Sequence, residues 1–426
     1  MKTIIKSLKF SGYKAFEDEV FINFETNKKK YNFNDSVIEL VRDEKNLYFN
    51  NHLGFIGPNA AGKTSILTVF RIYRVFLSSG VRTFGEGILD PLTGVVDRNF
   101  SILNPEDINK NKDYLEITVE LVTEEILVKH NLKIKRDFTF FEKIDVHIKK
   151  NKNYTWENIF EKNFEDKIDF ITYSKYTRFE NKRHFIAKEQ RESLEIIKKT
   201  ANIIDSIASS IMTISSETTK MNWTGDLNRL LLRNHHNDEA IKKIQDFLGT
   251  IAKSVDPQIA GAQIQKVMIN DMPTFNFSFI LKNEDKAAWS ALSVGTWKII
   301  GIFMKLYLLK QINAKNVYVL IDEIDNSWHP NLTKIFLRLV KSKMFASTTF
   351  LFTFHNPYIA SEIRHDALYI VSENQEVVNW PEKIKEFSEN GAPRLSTKFE
   401  IKYLDEVVCS GPENFKAEEI YDFFGE

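Results

Sequence analysis

The fold of this chain is decided by the stretch Gly57-Pro58-Asn59-Ala60-Ala61-Gly62-Lys63-Thr64. It matches the pattern G-x-x-x-x-G-K-[ST], follows the short apolar run 53–56 and precedes a helical pattern over 65–78. Between a strand and a helix, this pattern is typical of a loop whose backbone N–H groups and helix N-terminus surround phosphates. The lysine then reaches the outer phosphates, and the threonine hydroxyl binds Mg²⁺. The alternative is a strand–helix turn that binds nothing, and three further motifs argue against it.

The composition is that of a globular protein. Of 426 residues, 43% are hydrophobic and 13% aromatic, which supports a sizeable core and excludes global disorder. Basic and acidic residues number 58 each, so the formal net charge is zero. A uniformly basic nucleic-acid coat is therefore excluded, while a local basic groove stays open. The single cysteine, Cys409, allows no intramolecular disulfide. No signal-peptide core or membrane-spanning run is found, so we expect a cytoplasmic protein without a membrane partner.

The second motif consists of two acids after an apolar run. Val317–Ile321 is continuously apolar and is followed by Asp322 and Glu323. Such a run predicts a strand that is buried on both faces of a parallel sheet, and ligands bind at the carboxyl ends of such strands. We expect Asp322 to hold Mg²⁺ and Glu323 to act as the general base on water. Two acids in a surface turn are the alternative.

Two further motifs agree with this assignment. Leu292-Ser293-Val294-Gly295-Thr296 opens a predicted helix, and Ser293 lies 29 residues before Asp322. Alone, this is an N-cap serine beside a glycine. His355 follows the apolar strand predicted over 348–354, where a lone histidine is more often structural.

In this order, the four motifs resemble those of ABC-type ATPases, and within them the RecF/SMC/OLD-like group. GPNAAGKT resembles that group's G-x-N-x-x-G-K form, and the start LKFSGYKAF is similar to its N-terminal hairpin. IDEIDNSWHP, over 321–330, resembles the (L/I)DEI(D/E)xxLHP sequence of prokaryotic OLD-like and abortive-infection ATPases. FTFHNP, over 352–357, resembles their xTxHNP. The likeness covers about 1–150 and 275–380.

The resemblance implies ATP and Mg²⁺ as ligands and a head-to-tail dimer, or a multiple of it, as the assembly. It implies that Ser293, Gly295 and Asp325 act in trans on the partner's nucleotide. Glu323 and His355 become the catalytic residues, with His355 at the γ-phosphate, and Thr64 and Asp322 become the metal ligands. The nucleotide-binding residues are predicted to be Gly57, Asn59, Ala60, Ala61, Gly62, Lys63, Thr64 and Ser65.

Two roles known from the group stay open. No glutamine is assigned to Mg²⁺, because none follows the antiparallel strands clearly. Tyr13, Lys14 and Phe16 are candidates for the adenine contact, and buried hairpin aromatics are the alternative.

The predicted fold is an α/β P-loop NTPase of ABC-ATPase type with an antiparallel β lobe and a helical insertion. Strands are predicted within 4–24, 114–149 and 274–282, an irregular excursion over 27–52, and helices within 187–250. The predicted divisions are the N-terminal part of the head (1–155), a mainly helical insertion (156–272), the C-terminal part of the head (273–380) and a tail that packs on it (381–426).

The resemblance favours a sensor or scaffold ATPase of a prokaryotic antiviral, abortive-infection system. Standalone ATPases of the PARIS and Septu systems work with a separate toxin or nuclease. No nuclease domain is evident here: only 71 residues follow His355, too few for a Toprim domain. The Arg…His pattern of HEPN ribonucleases occurs at 178…184 and 229…235, but chance explains such matches better. The alternatives are a RecF-like DNA-repair ATPase on duplex DNA and a nucleotide-gated assembly protein that hydrolyses slowly.

Overall fold

The computed structural model describes most of the chain between residues 2 and 387. The described residues are 2–27, 37–79, 84, 88–89, 96–97, 102–150, 153–164, 191–214, 227–228, 230–269, 272–288, 291–311, 316–325 and 330–387. Residues 388–426 of the tail predicted to pack on the head, both members of the 178…184 pair, residue 229 and residues 326–329 lie outside them. The chain forms two compact units, one of residues 1–212, 316–319 and 346–426 and one of residues 213–315 and 320–345.

The first unit contains a six-stranded antiparallel sheet, which is the predicted β lobe. Its strands are β1 (Ile4–Ser11), β2 (Val20–Asn23), β9 (Tyr114–Val122), β10 (Leu127–Lys135), β11 (Phe140–Lys150) and β12 (Asn153–Lys162), in the order β12-β11-β10-β9-β1-β2. Along β9 the buried side chains alternate with partly exposed ones, as Leu115, Ile117 and Val119 show. One face therefore packs on the core and the other meets water.

A small sheet corrects the expectation of an irregular excursion over 27–52. The strands β3 (Glu25–Thr26), β4 (Val37–Arg42) and β5 (Lys45–Asn50) pair in the order β3-β5-β4. A two-residue turn of Asp43 and Glu44 joins β4 to β5, and both residues have positive φ, 49° and 60°. Hairpin turns with two left-handed residues match the twist of the strands, but glycine or asparagine is the usual sequence signal.

The central sheet of the first unit carries the phosphate-loop motif. Its strands are β6 (His52–Ile56), β13 (Ile211–Ile214), β17 (Val317–Ile321), β18 (Thr348–Phe354), β19 (Leu368–Val371) and β20 (Val377–Asn379), in the order β13-β17-β18-β6-β19-β20. β18, β6 and β19 are parallel, and every residue in them is buried. The sequence predicts such a buried strand for β17, which lies beside β18 in this sheet and is buried from Tyr318 to Ile321. β13 is a strand within a stretch that was predicted to be helical.

Four helices and a short ribbon complete the description of this unit. The helices are α1 (Lys63–Ser79), α2 (Arg191–Ser210), α6 (Pro357–Ala360) and α7 (Trp380–Phe387), and the ribbon pairs β7 (Ile88–Leu89) with β8 (Val96–Asp97). α1 packs against α2. Short 3₁₀ helices span Pro105–Asp107 and His365–Ala367.

The second unit has its own helices, sheet and core. Its elements are α3 (Asp238–Val255), β14 (Ile259–Ile269), β15 (Met272–Leu281), β16 (Lys286–Ala288), α4 (Val294–Gln311), α5 (Pro330–Val340) and the 3₁₀ helix Lys343–Phe345. The strands are antiparallel in the order β14-β15-β16. The core joins α3 and α4 to β14 and β15 through Leu248, Ile259, Phe279 and Ile300, all at most 2% exposed.

The α/β class with an antiparallel lobe is thus confirmed. β14 was not predicted, whereas β15 and α4 were. The predicted domain boundaries stay predictions. In the described part of the chain, no helix is both long and apolar enough to cross a bilayer.

Candidate functional site

The loop between β6 and α1 contains two residues with a left-handed backbone, only one of which is a glycine. Ala60 and Gly62 are left-handed, with φ of +63° and +103°. A Cβ at Gly62 would lie 2.6 Å from Cζ of Phe16, and one at Gly57 would collide with the carbonyl oxygen of Val371. Both positions therefore require glycine, because a side chain would be strained at the first and would clash at the second.

The side chains of this loop divide into buried and exposed ones. Lys63 opens α1 and is 6% exposed. Its Nζ donates hydrogen bonds of 2.7 Å to the carbonyl oxygens of Gly57 and Pro58, so the ammonium lies over its own loop. Of the other predicted nucleotide contacts, Ala61 is buried, Ser65 is half-buried, and Asn59, Ala60 and Thr64 are exposed.

His355 lies beside the start of this loop. In the parallel pair of β6 and β18, Ile56 is the register partner of Phe354. Gly57 and His355 are the next residues, so they leave neighbouring strands at the same carboxyl edge of the sheet. Adjacent strands are about 4.8 Å apart, and this edge is where α/β proteins bind ligands. Asn356 caps α6 by accepting a hydrogen bond of 3.0 Å from the Tyr358 N–H.

The hairpin aromatics are buried beneath the loop. Tyr13 and Phe16 are each 1% exposed, and Phe16 meets Phe10 edge-on at 5.4 Å between ring centroids. Burial raises the pKa of the Tyr13 hydroxyl above its ordinary value. These observations favour buried structural aromatics over an adenine contact. Lys14 is exposed and left-handed, with φ of +51°, and its Nζ lies 3.7 Å from Asp107 Oδ1.

The second unit holds the remaining motifs, beginning with Ser293 at the N-terminus of α4. The Ser293 Oγ accepts a hydrogen bond of 3.2 Å from the Thr296 N–H and lies 2.8 Å from the Thr296 Oγ1. The serine therefore caps the helix, as the alternative interpretation expects. Its side chain is also exposed, and Gly295 is half-buried.

The acidic motif follows β17 directly. Asp322, Glu323 and Asp325 are half-buried, and Ile324 between them is 0% exposed. The backbone of Glu323 is left-handed, with φ of +50°. Such a conformation is uncommon for a residue other than glycine, so the chain turns sharply at the residue predicted to be the general base.

Lys298, which none of the sequence motifs includes, contacts this turn. The Lys298 side chain belongs to α4 and is 5% exposed, and its Nζ donates a hydrogen bond of 2.8 Å to the backbone carbonyl of Glu323. Burial lowers the pKa of Lys298, while the carboxylates of Glu323, Asp322 and Asp325 oppose this shift. The available signal was a lysine inside the otherwise apolar run 297–304.

The predicted site residues thus fall into two groups. The phosphate loop and His355 come together in the first unit, whereas Ser293, Gly295 and the acids belong to the second. Within the described residues, no group of three or more His, Cys, Asp or Glu could hold a metal ion by itself.

The chain matches a family model described as "AAA domain, putative AbiEii toxin, Type IV TA system" over residues 53–361. None of the functionally curated proteins matches it. It is similar to the SMC head domain from Thermotoga maritima, with 14% identity, 89% of this chain and 99% of that chain covered, and a TM-score of 0.39. It is also similar to the Smc head domain bound to the C-terminal domain of ScpA, from Pyrococcus furiosus, with 12% identity, 90% of this chain and 98% of that chain covered, and a TM-score of 0.45. The third similar structure is that of the recombination mediator protein RecF, with 10% identity, 88% of this chain and 97% of that chain covered, and a TM-score of 0.38.

Proposed function

Because this chain belongs to the AbiEii-type AAA domain family, we propose that it is a Mg²⁺-dependent ATPase. The observation that carries the proposal is the shared sheet edge at which the phosphate-loop motif and His355 begin. A left-handed loop, a helix N-terminus and a lysine ammonium meet there, and each of them favours a bound phosphate chain.

The residues of the first unit bind the nucleotide. The N–H groups of the loop and of the first turn of α1 surround the phosphates. Lys63 exchanges its contacts with the Gly57 and Pro58 carbonyls for phosphate oxygens, which are stronger acceptors because they are charged. His355 hydrogen-bonds the terminal phosphate from the neighbouring strand.

Thr64 and Asp322 would hold the metal. Both offer oxygen, the donor that Mg²⁺ prefers, and both are accessible, since Thr64 is exposed and Asp322 is half-buried. The ion, when bound, neutralises negative charge on the phosphates. Glu323 accepts a proton from the attacking water as general base.

A second copy of the chain completes the site. The exposed Ser293 and the half-buried Gly295, at the N-terminus of α4, contact the nucleotide of the partner, and Asp325 acts across the same interface. ATP binding is then coupled to assembly of a head-to-tail dimer or a multiple of it, because a ligand that binds only the assembled form stabilises it.

In the cell, the proposed role is that of a sensor or scaffold in a prokaryotic antiviral, abortive-infection system. The description of the family names a toxin–antitoxin system, and the IDEIDNSWHP and FTFHNP segments resemble abortive-infection ATPases. The toxic or nucleolytic activity belongs to a separate effector protein, as in the PARIS and Septu systems.

ATP binding and hydrolysis test the enzymatic part. The wild-type chain should hydrolyse ATP only with Mg²⁺, and Lys63→Ala should lose nucleotide binding, measured with a fluorescent ATP analogue. The control Lys45→Ala, at an exposed position, should bind as the wild type does. Equal binding by Lys63→Ala and the wild type would contradict the assignment of the loop.

A tagged pull-down from the native host tests the cellular role. Mass spectrometry and mass photometry of the eluate, with and without ATP, should find a stoichiometric second protein encoded beside this gene. A homodimer that carries DNA and no second protein would instead favour a repair function, and salt-dependent DNA binding stimulated by ATP would support that reading.

A further inference from the structure

Lys298 is a buried cation with a defined acceptor. It lies on α4 and is 5% exposed, although lysine is rarely buried unless it is paired. Its Nζ is 2.8 Å from the backbone carbonyl oxygen of Glu323, a residue 25 positions further along the chain. A buried ammonium needs such hydrogen bonds to offset its lost hydration. The contact is therefore a specific one within the second unit.

The acceptor belongs to a residue whose backbone is unfavourable. Glu323 has φ of +50°, in the left-handed region that side chains with a Cβ avoid. A residue in such a conformation keeps it only where the surrounding structure holds it. The hydrogen bond from Lys298 fixes the carbonyl of this peptide unit, and the buried Ile324 fixes the next residue from the core side.

The surrounding charges also favour a cation at this point. The carboxylates of Asp322, Glu323 and Asp325 are close enough to act on the ammonium. Three acids in four residues repel one another, and a buried positive charge among them reduces this repulsion. Lys298 thus holds the turn by its hydrogen bond to the Glu323 carbonyl, and its positive charge partly neutralises the three carboxylates.

We propose that Lys298 is a positioning residue that holds the Glu323 turn in the geometry needed for hydrolysis. The inference rests on the proposed ATPase function, in which Glu323 is the general base. Lys298 itself touches neither water nor nucleotide in this role. It lies five residues after Ser293 on α4, so the helix that carries the Leu-Ser-x-Gly motif also fixes the general base.

The variant Lys298→Met removes the donor and keeps most of the length of the side chain. We expect kcat to fall by about 100-fold, because small displacements of a catalytic group cost that much. KM and the affinity for a fluorescent ATP analogue should change less than about two-fold, since the phosphate loop is untouched. Lys298→Arg keeps a donor and a charge and should recover most of kcat. Lys310→Met, in the exposed last turn of α4, serves as the control.

A second readout is independent of turnover. Amide hydrogen exchange of the nucleotide-free protein should become faster in peptides covering 320–325 in Lys298→Met and stay unchanged in Lys310→Met. Thermal unfolding of each variant establishes that it is folded. If the folded Lys298→Met variant exchanges and hydrolyses as the wild type does, the inference is wrong.

The two proposals fail in different ways. Absence of hydrolysis in the wild type, or nucleotide binding by Lys63→Ala, would overturn the proposed function. A wild type that hydrolyses ATP, together with a Lys298→Met variant that loses kcat and ATP affinity to the same degree, would overturn only the positioning role, since a general structural defect would then explain the loss.

Discussion

Ile56 and Phe354 lie opposite each other in two neighbouring parallel strands, and each is the last residue of its strand. Gly57 and His355 consequently begin their loops side by side. Both strand ends are fully buried, and β19 flanks β6 on its other side. The relative position of the two loops is thus determined by backbone hydrogen bonds and by the core, not by surface side chains.

The left-handed Gly62 gives the first prediction. Gly62→Ala places a Cβ at φ of +103° and 2.6 Å from the Phe16 ring. Backbone strain and overpacking together should lower the free energy of unfolding by about 2–4 kcal/mol, and ATP affinity should fall, because the loop must change shape. Urea unfolding and binding of a fluorescent ATP analogue measure the two effects.

The chain offers a matched control for this change. A Cβ at Gly261 would meet no atom within 4 Å, so Gly261→Ala should change the free energy of unfolding by less than about 0.5 kcal/mol. Adding Phe16→Leu to Gly62→Ala should restore part of the stability. Equal stability of the two alanine variants would refute the account of Gly62.

Glu323 gives the second prediction. Glu323→Gln keeps the size of the side chain and removes the base, so ATP should still bind while turnover falls by about 100-fold or more. Because bound ATP stabilises the assembly in the proposed function, a variant that keeps its ATP should stay in the oligomer, which mass photometry detects. Asp285→Asn, an isosteric change in an exposed turn, should behave as the wild type does. Normal hydrolysis by Glu323→Gln would show that another group is the base.

The sequence predicted those elements whose burial pattern is simple. Continuous apolar runs indicated β17 and β18, and alternation indicated β9, because strands buried on two faces or on one face leave these patterns. β13 was missed because the four residues Ile211–Ile214 continue the apolar spacing of α2, and so short a run cannot be separated from a helix by periodicity. The β4–β5 hairpin was missed because its turn contains neither glycine nor asparagine.

In the candidate site, too, some residues can be predicted from the sequence and others cannot. The loop pattern predicts Gly57, Gly62 and Lys63, and at the two glycines the backbone geometry itself requires the residue type. Lys298 has no local signal of its role, because its acceptor is a backbone carbonyl distant in sequence. Any residue type at position 323 would present the same carbonyl group, so only the structure reveals this contact.

A buried network behind the phosphate loop gives the third prediction. Tyr73, on α1, lies 2.9 Å from His130 Nδ1 through its hydroxyl, and His130 Nε2 lies 3.0 Å from Glu142 Oε1. All three side chains are 0% exposed. Tyr73→Phe leaves one buried ring nitrogen without this partner and should cost about 1–3 kcal/mol of stability.

Urea unfolding measures this loss. The control Tyr358→Phe removes a hydroxyl at a position that is 63% exposed, and it should be neutral within about 0.5 kcal/mol. The affinity for ATP should stay near the wild-type value in both variants, since Tyr73 lies ten residues beyond Lys63. If the two variants are equally stable, the network does not stabilise the fold.

His365 gives the last prediction, which concerns pH. Its ring is half-buried in a 3₁₀ helix, and burial lowers its pKa from the ordinary value of 6.5, a shift that Asp366 only partly opposes. Below pH 6.5 the unfolded chain therefore takes up a proton that the folded chain does not, so stability decreases as the pH falls through this range. His365→Gln cannot take up this proton. Between about pH 7.5 and 5.5, the wild type should thus lose more unfolding free energy than the variant does.

The control is His236→Gln, at an exposed position, for which the unfolding free energy should change with pH as it does in the wild type. Urea unfolding at several pH values measures these slopes, and parallel curves for the wild type and His365→Gln would show that His365 makes no such contribution.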